Sequence, residues 1–215
     1  MIRVTAFIDG FNLYHAVDDL GKPHFKWLDL DKLIRHFVDP TIHSLDAIYY
    51  FSAYATWLPA AHKRHKAYVK ALESSGVRPV MGNFKEKERA CNSCAAGWVA
   101  HEEKESDVNL ATFMVRGAYR HEYDEAILVS GDSDIGPSVR MVKEDFPNKK
   151  IKLITPPGRR HSKELCAIAN KKSRIKEIHL ERSLFPQHIF DASGGKVIVT
   201  RPKDYDPPIR KAEGP

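Results

Sequence analysis

The sequence predicts a doubly wound α/β fold with a mainly parallel sheet, followed by a small C-terminal hairpin and tail. Five short apolar runs rich in strand-forming residues alternate along the chain with segments of helical periodicity. Such alternation favours a parallel sheet that is covered by helices on both faces. The chain has 215 residues, of which 42% are hydrophobic and 29% charged, so it can bury a sizeable core.

The predicted strands are short apolar segments bounded by turn-forming or polar residues. In chain order, they are Arg3–Ile8, Ala47–Ala53, Val77–Met81, Glu125–Val129 and Ile151–Ile154. The first of them stops at Asp9-Gly10, a pair that is common in turns. Because a helical segment separates each strand from the next, we expect all five strands to share one sheet.

The segments between the strands have helical spacing and recognisable ends. Asp29 is a predicted N-cap for the first helix, which Pro40 ends, and Gly76 is a predicted C-cap for the second. In chain order, the predicted helices cover Leu30–Val38, Pro59–Ser74, a segment from Asp107 to Ala118, Ser138–Lys143, and a segment that Ser162 opens and that continues through Ile168.

The domain organisation that we predict is simple. Residues 1–186 form the α/β domain, and residues 187–215 form one hairpin, at Lys196–Thr200, and a proline-rich tail. The sequence contains no internal repeat and no sign of a second folded domain.

Charge and hydropathy narrow the functional classes. The net charge is +6 and the isoelectric point is about 9.1, which makes a polyanion a plausible partner. No apolar run approaches the ~18 residues that a membrane span needs, and the N-terminus lacks the apolar core of a signal peptide. We therefore expect a soluble, cytoplasmic protein that does not enter membranes, and the sequence leaves its oligomeric state open, a homo-oligomer included.

Four aspartates fall beside the ends of the predicted strands. Asp9 follows the first strand, Asp132 and Asp134 follow the fourth, and Asp107 opens the helix before the fourth. In doubly wound sheets, sites form beyond the carboxyl ends of the strands. Carboxylate oxygens suit Mg²⁺ or Mn²⁺, which can activate water for attack on a phosphodiester. A basic protein with such a centre is a candidate nuclease.

These aspartates also have a purely structural interpretation. Each of them could cap a helix or stabilise a turn, and taken singly that interpretation is the better one. Taken together, their positions along one edge of the predicted sheet favour a metal site.

Three segments resemble the signature segments of the NYN family, which includes the LabA-like proteins. They are FIDGFNLYH at Phe7–His15, EKESDVNLA at Glu103–Ala111 and LVSGDSDIGPSV at Leu128–Val139. The resemblance extends over roughly Met1 to Pro186. It implies the PIN-like ribonuclease fold, a Rossmann-like arrangement of three layers.

The resemblance also implies an activity, metal-dependent endonucleolytic cleavage of RNA. By position, Asp9, Asp107, Asp132 and Asp134 would be the metal-binding acids, and Asn12 would be the polar partner of the first. Lys104 and Ser130 match further positions of the family. The segment from Lys85 to His101 is longer than the minimal connection in the family.

Two alternative functions can be weighed. A phosphatase of the haloacid dehalogenase type needs a second acid two residues after its nucleophilic aspartate. In this chain Phe11 occupies that position, which argues against a phosphatase of this type. The other alternative is an RNA-binding or regulatory NYN module without catalysis, which the presence of all four acids disfavours. Metal-dependent cleavage of a single-stranded RNA would separate that module from an enzyme.

A second metal site is suggested by a cysteine pair. Cys91 and Cys94, followed by His101, have the spacing of a small zinc site, although a fourth ligand is not evident. We expect the segment from Lys85 to Lys104 to be a loop with few apolar residues, which zinc would order. The alternative is a pair of ordinary reduced cysteines.

Several basic and aromatic residues are candidates for contact with RNA. They are expected in loops that leave the same edge of the sheet as the acids: Trp57, Lys85, Lys87, Arg159 and Arg160. Aromatic stacking combined with phosphate contacts is a common way to bind single strands. The alternative is a solvated basic surface.

Overall fold

The computed structural model describes residues 1–94, 96–191 and 193–208. Its main sheet has seven strands, which run in the spatial order β4-β3-β2-β1-β5-β6-β7. They are β1 (Ile2–Asp9), β2 (His43–Ala53), β3 (Arg78–Ala90), β4 (Gly97–Lys104), β5 (Glu125–Val129), β6 (Lys150–Thr155) and β7 (Lys171–Arg174). Neighbouring strands pair in parallel, except that β4 is antiparallel to β3. The predicted doubly wound sheet is confirmed.

Helices connect the strands along the chain. They are α1 (Gly10–Asp18), α2 (Leu30–Arg35), α3 (Pro59–Ser74), α4 (Ser106–Tyr119), α5 (Gly136–Asp145), α6 (Lys163–Ile168) and α7 (Glu177–Glu181). The predicted N-caps are confirmed, since Asp29 accepts a hydrogen bond from the Lys32 amide and Ser162 accepts one from the Leu165 amide. Within the described residues, no helix has both the length and the apolarity needed to cross a membrane.

The sheet separates two hydrophobic clusters, which makes the fold three-layered. Successive residues of β1 pack into different clusters. Ile8 packs with Leu13 of α1 and Leu72 of α3, whereas Phe7 packs on the other face of the sheet with Met114 of α4. Because both faces of the central strands are covered, β5 is buried along its whole length.

A two-stranded arm replaces the loop that we expected between Lys85 and Lys104. The third strand continues past Met81 to Ala90 and pairs with β4 from Asn83↔Lys104 to Ala90↔Gly97. The expectation of a loop was wrong because it rested on the scarcity of apolar residues, whereas an exposed two-stranded arm needs backbone pairing rather than an apolar face. Helices α1 and α7 and strand β7 were also absent from the predicted elements.

The predicted C-terminal hairpin is present and packs on the domain. It pairs β8 (His188–Phe190) with β9 (Val197–Thr200). Val199 is buried within the same hydrophobic cluster as Leu72. A boundary near residue 186 stays a prediction, and residues 209–215 of the predicted tail lie outside the described residues.

Candidate active site

Asp9 lies at the carboxyl edge of the sheet, where β1 and β5 run side by side with Ile8 opposite Val129. Its side chain is buried, with 5% of the residue exposed. One carboxylate oxygen accepts a hydrogen bond from the Asn12 amide and the other from the Ser130 hydroxyl, both at 2.9 Å. Asp9 is therefore the N-cap of α1 and is held in one orientation.

Gly10 explains how α1 can begin directly after Asp9. A Cβ atom at this position would lie 2.4 Å from the backbone oxygen of Phe51 and 2.7 Å from the ring of Tyr50. A side chain would therefore push α1 away from β2 and would displace Asp9. The Asp9-Gly10 pair, which the sequence indicated as a turn, begins a helix.

The loop after β5 is fastened to α1 by side-chain hydrogen bonds. The Asn12 side-chain oxygen accepts from the Gly131 amide at 2.9 Å, and the Ser130 hydroxyl accepts from the Asp132 amide at 3.0 Å. Asp132 in turn accepts from the Asp134 amide at 2.9 Å. Asn12 and Ser130 thus position the aspartates, and Ser130 is fully buried beneath them.

The two-stranded arm supplies the opposite side of the site. Because β4 runs antiparallel to β3, its carboxyl end returns to the edge from which β3 left, and α4 starts there. Glu103 accepts a hydrogen bond from the Ser106 amide at 2.9 Å, which fixes the start of α4. Asp107 lies in the first turn of that helix.

These elements enclose a cleft of about 250 Å³, which we call the acidic cleft. Its carboxylates come from four separate elements or loops and are those of Asp9, Glu103, Asp107 and Asp132. Arg159 and His15 also line the cleft. The guanidinium of Arg159 lies 2.6 Å from a carboxylate oxygen of Asp19.

The carboxylates of the cleft disfavour one another's ionisation. Partial burial, followed by the charges of Asp9 and Asp132, raises the pKa of Asp107 from 3.8 to about 6. Burial also raises the pKa of Asp9, against the opposing effect of its two hydrogen bonds. A cation in the cleft would relieve this repulsion.

Oxygen donors of this kind suit a hard divalent cation. Carboxylates are the ligands that Mg²⁺ and Mn²⁺ prefer, so the chemistry of the donor set fits the metals that PIN-like nucleases typically use. In residues 1–94, 96–191 and 193–208, no three His, Cys, Asp or Glu side chains are placed close enough together to hold an ion. The acidic cleft therefore brings four carboxylates to one space without placing three of them around a single point.

The other predicted site residues have varied positions. Asp134 is exposed and does not line the acidic cleft, although its charge contributes to the raised pKa of Asp107. Lys104 is exposed, and its Nζ lies 3.2 Å from a carboxylate oxygen of Glu102. Arg160 is exposed beside the cleft-lining Arg159. The structure thus brings together only part of the predicted set.

Trp57 and the basic residues of the arm lie outside the acidic cleft. The Trp57 ring stacks on His101 with 3.8 Å between ring centroids and contacts Phe84 edge-on. Lys85 and Lys87 are exposed residues of β3 rather than of a loop. Trp57 accordingly packs against the base of the arm.

Sequence reasoning missed Glu103 and His15 as residues of the site. Glu103 lies within the segment EKESDVNLA, but nothing in the sequence indicates that β4 returns to the edge of the sheet. His15 lies in α1, which we did not predict as a helix.

The structure does not bring the three candidate zinc ligands together. Cys91 and Cys94 follow β3 at the far end of the arm, beyond the last strand pair, Ala90↔Gly97. His101 lies opposite Glu86, four residues back from that end towards the sheet. At about 3.3 Å per residue, this separation is too long for a shared ion. The imidazole of His101 instead stacks on Trp57.

A second concavity adjoins the acidic cleft. It has a volume of about 580 Å³ and lies between α1, the end of β2, α3 and the base of the arm. Most of its lining is apolar or aromatic, and we call it the aromatic cavity. Phe11, His15 and Glu103 line both the aromatic cavity and the acidic cleft.

Comparison with known proteins identifies a matching family and similar proteins. The model of the NYN domain matches residues 3–175. Over 190 residues, the chain is 25% identical to 6-hydroxy-3-succinoylpyridine 3-monooxygenase HspA of Pseudomonas putida. This alignment covers 72% of the chain but spans only 60% of the length of that relative.

Among solved structures, the fold is similar to that of a protein of unknown function from Vibrio parahaemolyticus. The TM-score is 0.56 at 19% sequence identity, over 86% of this chain and 96% of the other. At this level of identity, the similarity concerns the fold alone.

Proposed function

The chain belongs to the NYN domain family, whose domains are PIN-like nuclease domains, and on that premise we propose that it is a metal-dependent endoribonuclease. The observation that carries the proposal is the acidic cleft, where four carboxylates from three parts of the chain line one space at the carboxyl edge of the sheet. RNA as the substrate and the cytoplasm as its location are parts of the same proposal.

Asp9, Asp107 and Asp132, together with Glu103, would hold Mg²⁺ or Mn²⁺. When bound, such an ion supplies an activated water and neutralises charge on the phosphate. The chain's own contribution is positional. Asn12 and Ser130 fix Asp9 and the loop after β5, so the carboxylates are oriented before a ligand arrives. The proposal includes no covalent intermediate on the protein.

The substrate side of the acidic cleft carries positive charge. Arg159 lines the cleft, and its guanidinium has a carboxylate partner, Asp19, at 2.6 Å. A phosphate group arriving at the cleft would compete with Asp19 for the guanidinium, since Arg binds phosphate through paired hydrogen bonds. Arg160 and the exposed lysines of β3 would add weaker attraction along the strand. We propose Arg159 as the main phosphate contact.

A second candidate function is chemistry on a small aromatic substrate. The Pseudomonas putida relative is named for monooxygenation of a hydroxypyridine, and the aromatic cavity, at about 580 Å³, is large enough for such a ring. Incubation of the protein with 6-hydroxy-3-succinoylpyridine, oxygen and a reduced nicotinamide would test this candidate. A hydroxylated product would favour it over the nuclease.

The nuclease proposal is tested by Asp132→Asn. The amide keeps the oxygen that accepts from the Asp134 backbone, so the fold should persist, while the loss of charge should reduce cleavage of single-stranded RNA by more than about 100-fold. Melting temperature should be unchanged or higher because like-charge repulsion is relieved.

The matched control is Asp46→Asn, which makes the same chemical change at an exposed residue near the start of β2. Its cleavage rate should equal that of the wild type. Cleavage by Asp132→Asn at the wild-type rate would remove Asp132 from the metal centre. A folded wild-type protein that binds RNA without cutting it in Mn²⁺ would favour the non-catalytic module.

A further inference from the structure

The aromatic cavity has a lining that suits a flat ring. Aromatic side chains approach it from α1, from α3 and from the 3-10 turn before α2: Phe11, Tyr14, Phe25 and Tyr68. Phe25 is almost fully buried, and the Tyr68 hydroxyl is anchored to the Leu28 carbonyl at 2.9 Å. These walls are therefore fixed before a ligand enters.

The lining of the aromatic cavity includes neutral polar groups alongside three charged side chains, Lys26, Arg64 and Glu103. Ser52 is 2% exposed and lines the cavity. Burial lowers the pKa of His65 to about 4, so its imidazole is uncharged at neutral pH and can both donate and accept hydrogen bonds. The Tyr50 hydroxyl lies 3.4 Å from Nε2 of His65. Neutral donors and acceptors beside aromatic walls match the polar edge of a heterocycle.

The aromatic cavity is adjacent to the acidic cleft. The side chains of Phe11, His15 and Glu103 lie between the two spaces, because each of them lines both. Phe11 is further held by Phe84, with ring centroids 5.7 Å apart. A ligand that places a ring in the cavity would therefore place an attached group in the cleft.

The outer wall comes from the C-terminal segment. Tyr205 lines the aromatic cavity, and Arg64 of α3 pairs with the neighbouring Asp204 at 2.9 Å. At about 580 Å³, the cavity has the size of a small-molecule pocket and can take one base with its sugar.

We propose that the aromatic cavity receives one unpaired nucleobase of the RNA, next to the phosphate that lies in the acidic cleft. The inference rests on the proposed function for the identity of the attached phosphate. Stacking on aromatic walls is a common way in which proteins hold single-stranded bases, and neutral polar groups read the edge of the base. The site would therefore restrict cleavage to single-stranded positions.

Filling the aromatic cavity tests this inference. Ala61 lines the cavity from α3, so Ala61→Phe should occupy it without touching the acidic cleft. The matched control is Ala60→Phe, one residue earlier on the same helix and exposed to solvent. Binding of adenosine and of uridine, which carry no charge, is measured calorimetrically without metal. Circular dichroism checks that both variants are folded.

We expect wild type and Ala60→Phe to bind at least one of the two nucleosides equally, and Ala61→Phe to bind it at least about tenfold more weakly. Equal binding by all three proteins, or no binding by the wild type, overturns the inference. Binding of 6-hydroxy-3-succinoylpyridine in place of nucleosides also overturns it. Nucleoside binding needs no cleavage, so a protein that binds nucleosides but never cuts RNA would refute the nuclease proposal and keep the base site.

Discussion

At the scale of single residues, surroundings give identical side chains different properties. Asp9 is buried and hydrogen-bonded through both oxygens, whereas Asp107 lies exposed at the start of a helix and faces other carboxylates. Ser130 and Asn12 support Asp9 and the loop after β5. A part of the signature segments therefore serves to orient the acids.

Glu103 gives a prediction at this scale, because the sequence did not single it out. Glu103→Gln keeps an oxygen that can accept from the Ser106 amide, but it removes a charge from the acidic cleft. We expect cleavage in Mn²⁺ to fall by about tenfold or more, the effect usual for groups that support a metal site.

The adjacent Glu102→Gln variant is its matched control. Successive residues of a strand point to opposite faces, and Glu102 pairs with Lys87 and Lys104 outside the cleft. Its cleavage rate should stay near that of the wild type. Equal losses in the two variants would mean that Glu103 acts only through the stability of the arm.

At the scale of elements, the two hairpins have different roles. The β3–β4 arm is mostly exposed, and its return carries Glu103 and Asp107 to the edge of the sheet. The C-terminal hairpin instead covers α3, and Val199 belongs to the main core on that side. One hairpin therefore builds the site, while the other completes the packing behind the aromatic cavity.

The C-terminal hairpin gives a prediction about stability. Val199 is 8% exposed, whereas Val197, two residues earlier on β9, is 42% exposed. Val199→Ala should lower the free energy of unfolding by about 2 kcal/mol, from lost burial and an unfilled space. Val197→Ala makes the same change in strand propensity as Val199→Ala, but it should lower the free energy of unfolding by only about 0.5 kcal/mol. Urea unfolding compares the two, and equal losses would show that β9 does not pack on α3.

At the scale of the whole molecule, the charge distribution is uneven. The net charge is +6, yet four carboxylates line one cleft at the edge of the sheet. Positive surroundings would attract a polyanion, while the acidic cleft would repel it unless a cation is bound. Binding of metal and binding of RNA should therefore be linked.

The raised pKa of Asp107 predicts how the stability of the metal-free protein depends on pH. As the pH rises from about 4, the carboxyl group of Asp107 loses its proton in the unfolded chain before it does so in the folded protein, since folding raises its pKa from 3.8 to about 6. The protonated carboxyl group therefore contributes fully to stability below about pH 4, and this contribution is lost as the pH rises through about 6. Because Asp107 is exposed, solvent screening keeps the effect modest.

Urea unfolding in EDTA at pH 4, 5, 6 and 7 measures this effect. Wild type should lose stability relative to Asp107→Asn across this range, because the amide cannot ionise. Adding Mn²⁺ at pH 7 should stabilise the wild type more than the variant. Parallel pH profiles of the two metal-free proteins would contradict the raised pKa.

The sequence by itself determined the alternation of strands and helices, the helix caps at Asp29 and Ser162, and the placement of Asp9 and Asp132 beyond neighbouring strands. These features are local, since hydrophobic periodicity and capping depend on residues within a turn or a strand. Parallel order then brings the strand ends to a common edge.

Only the tertiary structure decided the remainder of the site. Glu103 reaches the acidic cleft because β4 turns back along β3, and the aromatic cavity exists because α1, α3 and the C-terminal segment meet. Such contacts join residues that are far apart in the chain, so no spacing in the sequence encodes them. The separation of His101 from Cys91 and Cys94 has the same origin, since strand pairing rather than sequence proximity fixes where a side chain lies.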